Sequence, residues 1–294
     1  MDTGAPKWPA NAIEILAPSE QTAAVVFSSP HSGRDYPPDF AAGSVLDTAT
    51  LRRSEDSFVD QIFAAVPRHG APMLRALFPR VFVDPNREPF ELDPTMFNDA
   101  LPTYVNTASP RVAAGLGTVA RVVTNGEEIY PGKLRFEDVR VRIESLYRPY
   151  HAALGELIGA TTTRFGYCVL IDCHSMPSVG GPMDHDAGRP RVDFILGDAH
   201  GGSCAPGLTR LVEQELRALG YVVARNSPYS GGYITRHYGS PRDRVHALQI
   251  EINRALYMDE DRIQPGPGMA PLAAHMERLA AAICGLEAGQ LEAA

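Results

Sequence analysis

Gly166-Tyr-Cys-Val-Leu-Ile-Asp-Cys-His174-Ser-Met-Pro-Ser178 runs from an apolar, β-prone segment into Asp172, Cys173, His174 and Ser175. Bounded by Gly166 and Pro177, the run reads as a buried parallel strand. Open α/β sheets gather their reacting groups at the carboxyl ends of such strands. His174 is therefore a candidate metal ligand, and the neighbouring segments are read for groups that could join it.

On the N-terminal side, residues 134–159 carry Val139, Ile143, Leu146, Tyr150, Leu154, Leu157 and Ile158 at helical spacing. Pro149 is expected to kink that helix. Further upstream, residues 23–29 read as a strand running into Pro30-His31-Ser32-Gly33. Residues 46–66 read as helical, with Ser54 capping the part from Glu55 onward and Asp56 in its first turn. Residues 81–83 are strand-like and lead into Asp84-Pro85-Asn86-Arg87-Glu88. Residues 89–130, rich in Pro, Asn and Thr, are expected to be an irregular excursion over the sheet edge, or a lid.

On the C-terminal side, a Gly-rich loop (179–188) precedes a strand at 191–197, a helix at 206–219 and a strand at 221–225. Gly231-Gly232-Tyr233 marks a turn. Val245 to Asn253 alternates, with Leu248, Ile250 and Ile252 on one face and Gln249, Glu251 and Asn253 on the other. A last helix is expected over 269–286, with a frayed tail to Ala294. The alternation of strands and helices predicts an α/β fold, three layers (αβα) around a mixed, mostly parallel central sheet. No linker or repeat divides the chain, so residues 1–294 are expected to form a single catalytic domain.

The apolar fraction of 44% and charged fraction of 21% over 294 residues are those of an ordinary globular protein. A net charge of −8 argues against nucleic acid as a partner. No apolar run approaches the ~20 residues that cross a bilayer, and residues 1–9 have no signal-peptide pattern, so the cytoplasm is the expected location. Cys168, Cys173, Cys204 and Cys284 form no CxxC pair and read as reduced, mostly buried thiols. Cys173 is a candidate nucleophile only by its position beside His174.

Zinc in hydrolases is commonly held by two histidines and a carboxylate, with one position open to water. His31 and His174 sit at strand ends, and Asp56 begins a helix that can lean over them. Such an ion lowers the pKa of water to about 7 and polarises a carbonyl. Glu251 suits the proton-carrying role, taking a proton from that water and passing it to the leaving amine. Arg87 offers a planar fork for a substrate carboxylate. Each of these residues also has a plain structural reading: a satisfied histidine, a helix-dipole aspartate, turn chemistry at Asn86-Arg87, or a salt bridge from Glu251 to Arg254 or Arg236. No HExxH motif is present.

Taken together, Pro30-His31-Ser32-Gly33, Glu55-Asp56-Ser57-Phe58-Val59-Asp60, Asp84-Pro85-Asn86-Arg87, Asp172-Cys173-His174-Ser175-Met176-Pro177, Gly231-Gly232-Tyr233-Ile234-Thr235-Arg236 and Gln249-Ile250-Glu251-Ile252-Asn253-Arg254 occur in an order that resembles the N-formylglutamate amidohydrolase family. The resemblance covers about His31 to Tyr257. It implies a fold like that of zinc carboxypeptidases and aspartoacylases. It also implies metal-dependent hydrolysis of N-formyl-L-glutamate, or a similar N-acylated acidic amino acid, to formate and L-glutamate, the last step of one histidine-degradation route. By position, it implies His31, Asp56 and His174 as ligands of one divalent ion, zinc, and Glu251 as general base. Asn86 and Arg87 would grip a carboxylate, and Tyr233 and Arg236 would face the second carboxylate or the developing oxyanion. Carboxypeptidases take two ligands from His-x-x-Glu; here Arg34 stands where that glutamate would be, so the carboxylate ligand is Asp56, with Glu55 and Asp35 as alternatives. A non-catalytic dicarboxylate binder and a Cys173 hydrolase are the competing readings. Among the remaining histidines, His185, in a Gly- and Asp-rich loop near the proposed site, reads as a solvated residue.

Overall fold

The computed structural model describes residues 11–182 and 184–292. The expectations for residues 1–9 and for the end of the tail at 293–294 lie outside them. Seven strands form one sheet: β1 (Ile13–Leu16), β2 (Val25–Ser29), β3 (Met73–Ala76), β4 (Cys168–Met176), β5 (Phe194–Gly197), β6 (Val223–Arg225) and β7 (Val245–Asn253), in the order β1-β3-β2-β4-β7-β5-β6. The four central strands run parallel, while β1 is antiparallel to β3 and β5 is antiparallel to β7.

The strand pattern explains the layers. Alternate residues of β4 and β7 point to opposite faces. Val169, Ile171 and Cys173 join Leu248, Ile250 and Ile252 in a core closed by the helices Pro206–Ala218 and Met269–Cys284, through residues such as Leu208, Val212, Met276 and Leu279. On the other face, Cys168, Leu170 and Ala247 pack under the helix Arg148–Phe165 and the excursion, through Tyr150, Leu154, Val119 and Val123. Leu170 is fully buried; truncating it to alanine would cost about 2–5 kcal/mol. The second face changes character toward the carboxyl ends of its strands. There it presents Asp172 and His174 from β4 beside their register partners Gln249 and Glu251 from β7.

From β2 the chain passes outward to β3 on one side, then returns to β4 on the other. The strand order therefore reverses between β2 and β4, the place where such sheets leave a crevice for ligands. His31, two residues beyond β2, and His174, near the end of β4, flank that crevice.

Three local expectations are corrected. Residues 46–66 are not one helix: Thr48–Arg52, capped by Asp47, and Val59–Ile62 are separated by a loop, and Ser54 does not cap the second, which begins at Phe58 without a side-chain cap. Ser54 instead hydrogen bonds to Thr124 of the excursion. Residues 81–83 are a turn; the strand is upstream at Met73–Ala76, where backbone pairing with both β1 and β2 is available. Around Pro149, which has no N–H to donate, the helix adopts a π-helical turn over Ile143–Tyr147.

Candidate active site

Asp56 reaches the crevice because the expected helix breaks. Phe58 takes a left-handed φ of +69°, a strained conformation for a large side chain, and the turn before it folds back onto β2. The Asp56 N–H donates to His31 O (3.0 Å), and Ser32 Oγ donates to Asp56 O (3.0 Å). The carboxylate is thereby delivered between the two histidines.

Nδ1 of His31 lies 3.3 Å, and Nδ1 of His174 3.0 Å, from the same Asp56 Oδ2, and the three ligand atoms fall within 4.8 Å of one another. The outer nitrogens are backed by separate aspartates. His31 Nε2–H donates to Asp84 Oδ1 (2.7 Å), and His174 Nε2 lies 2.9 Å from Asp172 Oδ2. Asp172 is held from behind: Tyr150 donates to Ser28 Oγ (2.7 Å), which donates to Asp172 Oδ1 (3.2 Å). All of these carboxylates and both imidazoles are buried.

This donor set fits a divalent cation. Histidine ligands of metals characteristically turn the second ring nitrogen to a carboxylate or carbonyl, which fixes the ring and raises its basicity. With each outer nitrogen facing a carboxylate, although Asp172 Oδ2 takes no hydrogen bond from its ring, the inner Nδ1 atoms and Asp56 Oδ2 need a proton or a metal among them. Burial opposes charge on His174, but Asp172 and Asp56 outweigh it and raise its pKa well above the ordinary value, so without a metal a proton is held there. Asp56 is likewise driven well below the carboxylate range, against burial, by its contacts with His174 and His31. Asp56 and Asp84 are paired with the guanidinium groups of Arg80, Arg87 and Arg254.

Glu251 is buried, and burial pushes its carboxyl up to about 7, with Asp56 adding to the rise and His174 opposing it. One oxygen accepts from Gln249 Nε2 (2.7 Å), and Gln249 Oε1 in turn accepts from Gly232 N–H (2.7 Å). The salt bridge to Arg254 or Arg236 does not form: Arg254 binds Asp56 Oδ1 (3.0 Å) and Arg236 binds Gly231 O and Ser230. A carboxylic acid poised near neutrality is suited to accept and return a proton.

His31, Asp56, His174, Glu251, Asn86, Arg87 and Arg236 all line one cavity of about 320 Å³. Asn86 is locked by Ile234 N–H, which donates to its Oδ1 (2.8 Å), and its Nδ2 lies 3.2 Å from His174 Nε2. Gly232 is required there, since a Cβ would sit 2.3 Å from Asn86 Nδ2. Arg87 donates from Nε to Leu116 O (2.9 Å) and from Nη1 to Asn86 O (2.8 Å). Burial pulls it down to about 10, against the pull of Asp84, and it stays a cation at neutral pH.

The turn that carries Asn86 and Arg87 is braced from below. Tyr147 donates to Arg87 O (2.8 Å) and His151 Nε2–H donates to Pro85 O (2.8 Å). His151 is kept neutral by burial, which lowers it to about 4.

Tyr233 is not part of the cavity lining. Its ring stacks on His237 (centroids 4.8 Å apart) and packs edge-on against His151, because the helix Tyr233–Tyr238 turns that face away. The lining tyrosine is Tyr229. Of the alternative ligands, Glu55 is committed to Arg52, Ser57 and Tyr36, and Asp35 is exposed. Cys173 points into the opposite core, fully buried, with its thiol pushed well above the ordinary range by burial. His185 is exposed, and the four cysteines are free thiols.

Arg80, Asp84, Arg111 and Tyr229 also line the cavity, and sequence reasoning gave none of them a role. Asp84 opens the Asp84-Pro85-Asn86-Arg87 segment, and its position next to a turn was the available signal.

The model of the N-formylglutamate amidohydrolase family matches residues 23–258 of this chain. With that match, the α/β sheet and its buried centre define a hydrolase that acts on an amide. The chain is 32% identical over 250 residues to the N-formylglutamate deformylase of Pseudomonas aeruginosa, covering 84% of this chain and 86% of that protein. It is 29% identical over 239 residues to the N-formylglutamate deformylase of Pseudomonas putida, covering 80% and 82%. The crystal structure of the N-formylglutamate amidohydrolase from Ralstonia eutropha JMP134 superposes with a TM-score of 0.86 at 39% identity, covering 93% of this chain and 97% of that one. The chain belongs to the N-formylglutamate amidohydrolase family.

Proposed function

We propose that this protein hydrolyses the amide bond of N-formyl-L-glutamate, giving formate and L-glutamate, with one divalent ion held by Nδ1 of His31, Nδ1 of His174 and Asp56. The observation that carries the metal part is the convergence of two imidazole nitrogens on one carboxylate oxygen, each ring backed by its own aspartate. Two nitrogens and one oxygen are a ligand set that suits zinc. When bound, such an ion would polarise the formyl carbonyl and make an adjacent water more acidic.

The protein's own groups then do the following. Glu251 takes a proton from the attacking water as the new C–O bond forms, and returns it to the amide nitrogen as the C–N bond breaks. Its partner Gln249 fixes one carboxyl oxygen, so the other faces the reacting atoms. Arg87 holds the α-carboxylate with its free donors, and Asn86, locked by Ile234, supports the same group. Arg80 and Arg254 hold Asp84 and Asp56 in the ionised form. Arg236, on the Gly231-Gly232 side of the cavity, adds positive potential for the developing oxyanion.

Purified protein assayed with N-formylglutamate, N-formylaspartate, N-acetylaspartate and a formylated neutral amino acid tests this reading. The expected order places N-formylglutamate first by at least about tenfold in kcat/KM, the lower end of what one methylene discriminates. Turnover of none of the four by metal-replete protein would overturn it.

A further inference from the structure

N-formylglutamate carries two carboxylates, and the cavity holds five arginines: Arg80, Arg87, Arg111, Arg236 and Arg254. Three are committed. Arg80 binds Asp84 (2.8 Å); Arg254 binds Asp56, Ser175 and Arg53 O; Arg236 binds Gly231 O and Ser230. Arg87 makes no hydrogen bond from Nη2, which keeps only a long ion-pair contact of 3.7 Å to Asp84. Arg111 differs from all of these: among the described residues no hydrogen bond or ion pair takes up its guanidinium, although it is half-buried and lines the cavity. Its charge and that of Arg87 push against each other. Two neighbouring cations with free donors make a site for an anion.

The backbone around Arg111 is built, not loose. Its short helix, Pro110–Ala113, is capped by Ser109, whose Oγ accepts from Val112 N–H (3.0 Å) and donates to the Glu91 carboxylate. Leu116 links the two arginines directly: its N–H donates to Arg111 O (2.8 Å), while its carbonyl accepts from Arg87 Nε (2.9 Å). Thr118 N–H donates to Glu91 O (2.8 Å), and Asp84 N–H to Thr118 O (2.7 Å), tying the excursion to the Asp84 turn. Gly117 permits the close approach, since a Cβ there would lie 2.2 Å from Glu91 O.

We infer that Arg111 is the specificity residue for the substrate's side-chain carboxylate, a conclusion that rests on the deformylase reading above. Arg87 follows Asn86, which touches His174, so it lies nearer the centre and suits the α-carboxylate. Arg111, on the excursion, suits the group further from the scissile bond. The excursion is thus a fixed wall of the binding site that distinguishes an acidic side chain from a neutral one.

The test is steady-state kinetics of the holoenzyme and of Arg111→Gln on N-formylglutamate and on N-formylnorvaline, whose side chain lacks the carboxylate. For the variant, KM for N-formylglutamate should rise about 100-fold, the scale of loss when one partner of a buried charge pair is removed, with kcat changing far less. The preference for N-formylglutamate over N-formylnorvaline should collapse accordingly. Arg111→Lys, which keeps the charge without the fork and disturbs folding least, should retain an intermediate preference. An unchanged preference in both variants, whether activity falls on both substrates or on neither, would overturn the assignment. Failure of the unsubstituted enzyme to hydrolyse N-formylglutamate would instead strike the deformylase reading itself, and with it this inference.

Discussion

His31 and His174 stand with ring centroids 4.7 Å apart, and each turns Nδ1 to the same oxygen of Asp56 while its outer nitrogen meets a separate aspartate, Asp84 or Asp172. The pair comes from two parallel strands on either side of the sheet's reversal point, so the arrangement follows from the topology and not from a short motif.

In the proposed metal site the aspartates behind the rings would set ligand basicity and ring orientation. Asp84→Asn and Asp172→Asn should each weaken metal binding by about 10–100-fold, as such supporting groups do elsewhere. Competition with a chromophoric chelator measures this, and excess metal should restore most of the lost activity. Unchanged affinity in both variants would show that the aspartates do not support the ligands.

Metal binding should release protons. The carboxylates around His174 keep it protonated in the metal-free protein, and a ligand nitrogen must give up that proton. Zinc titration near pH 7 in buffers of different ionisation enthalpy should reveal release of about one proton per ion bound. No release would contradict the proposed His174 ligand role.

Glu251→Gln should lower kcat by about 10²–10⁴-fold, the usual contribution of a general base. In the metal-free protein the same change should stabilise the fold. The folded carboxyl is raised from its ordinary 4.5 to about 7, so ionisation disfavours the folded state increasingly as pH rises through that window. The variant, which still accepts from Gln249, should match the parent below pH 4.5 and exceed it at pH 8 by roughly 3 kcal/mol at most. Thermal unfolding at the two pH values checks the sign; a variant less stable at pH 8 would contradict it.

Cys173→Ser should keep activity within a few-fold, since that thiol lies in the core on the opposite face from His174 and is held protonated. Abolished turnover in a folded variant would revive a cysteine mechanism.

Much of the sheet could be read directly. β4 and β7 declare themselves through apolar runs and strict alternation, and the second pattern predicted that Gln249, Glu251 and Asn253 would share a face. What escaped were features set by tertiary contacts. The apolar spacing over 46–66 is genuinely helical, yet the pull of Asp56 toward His31 breaks it at Phe58, and no local propensity records that pull. Tyr233 was placed by its neighbours Gly231 and Gly232, but one turn of helix carries its ring toward His151 and leaves Tyr229 in the cavity. Arg111 sat in a segment without periodicity, where only the folded chain shows that its charge faces the same space as Arg87.

If His31, Asp56 and His174 share one ion, metal content and activity must rise and fall together. Purified protein should contain one divalent ion per chain; a strong chelator should remove it together with N-formylglutamate hydrolysis, and one equivalent of zinc should restore both. Full hydrolysis by protein shown to be metal-free would mean that no ion shared by these three residues takes part in the reaction.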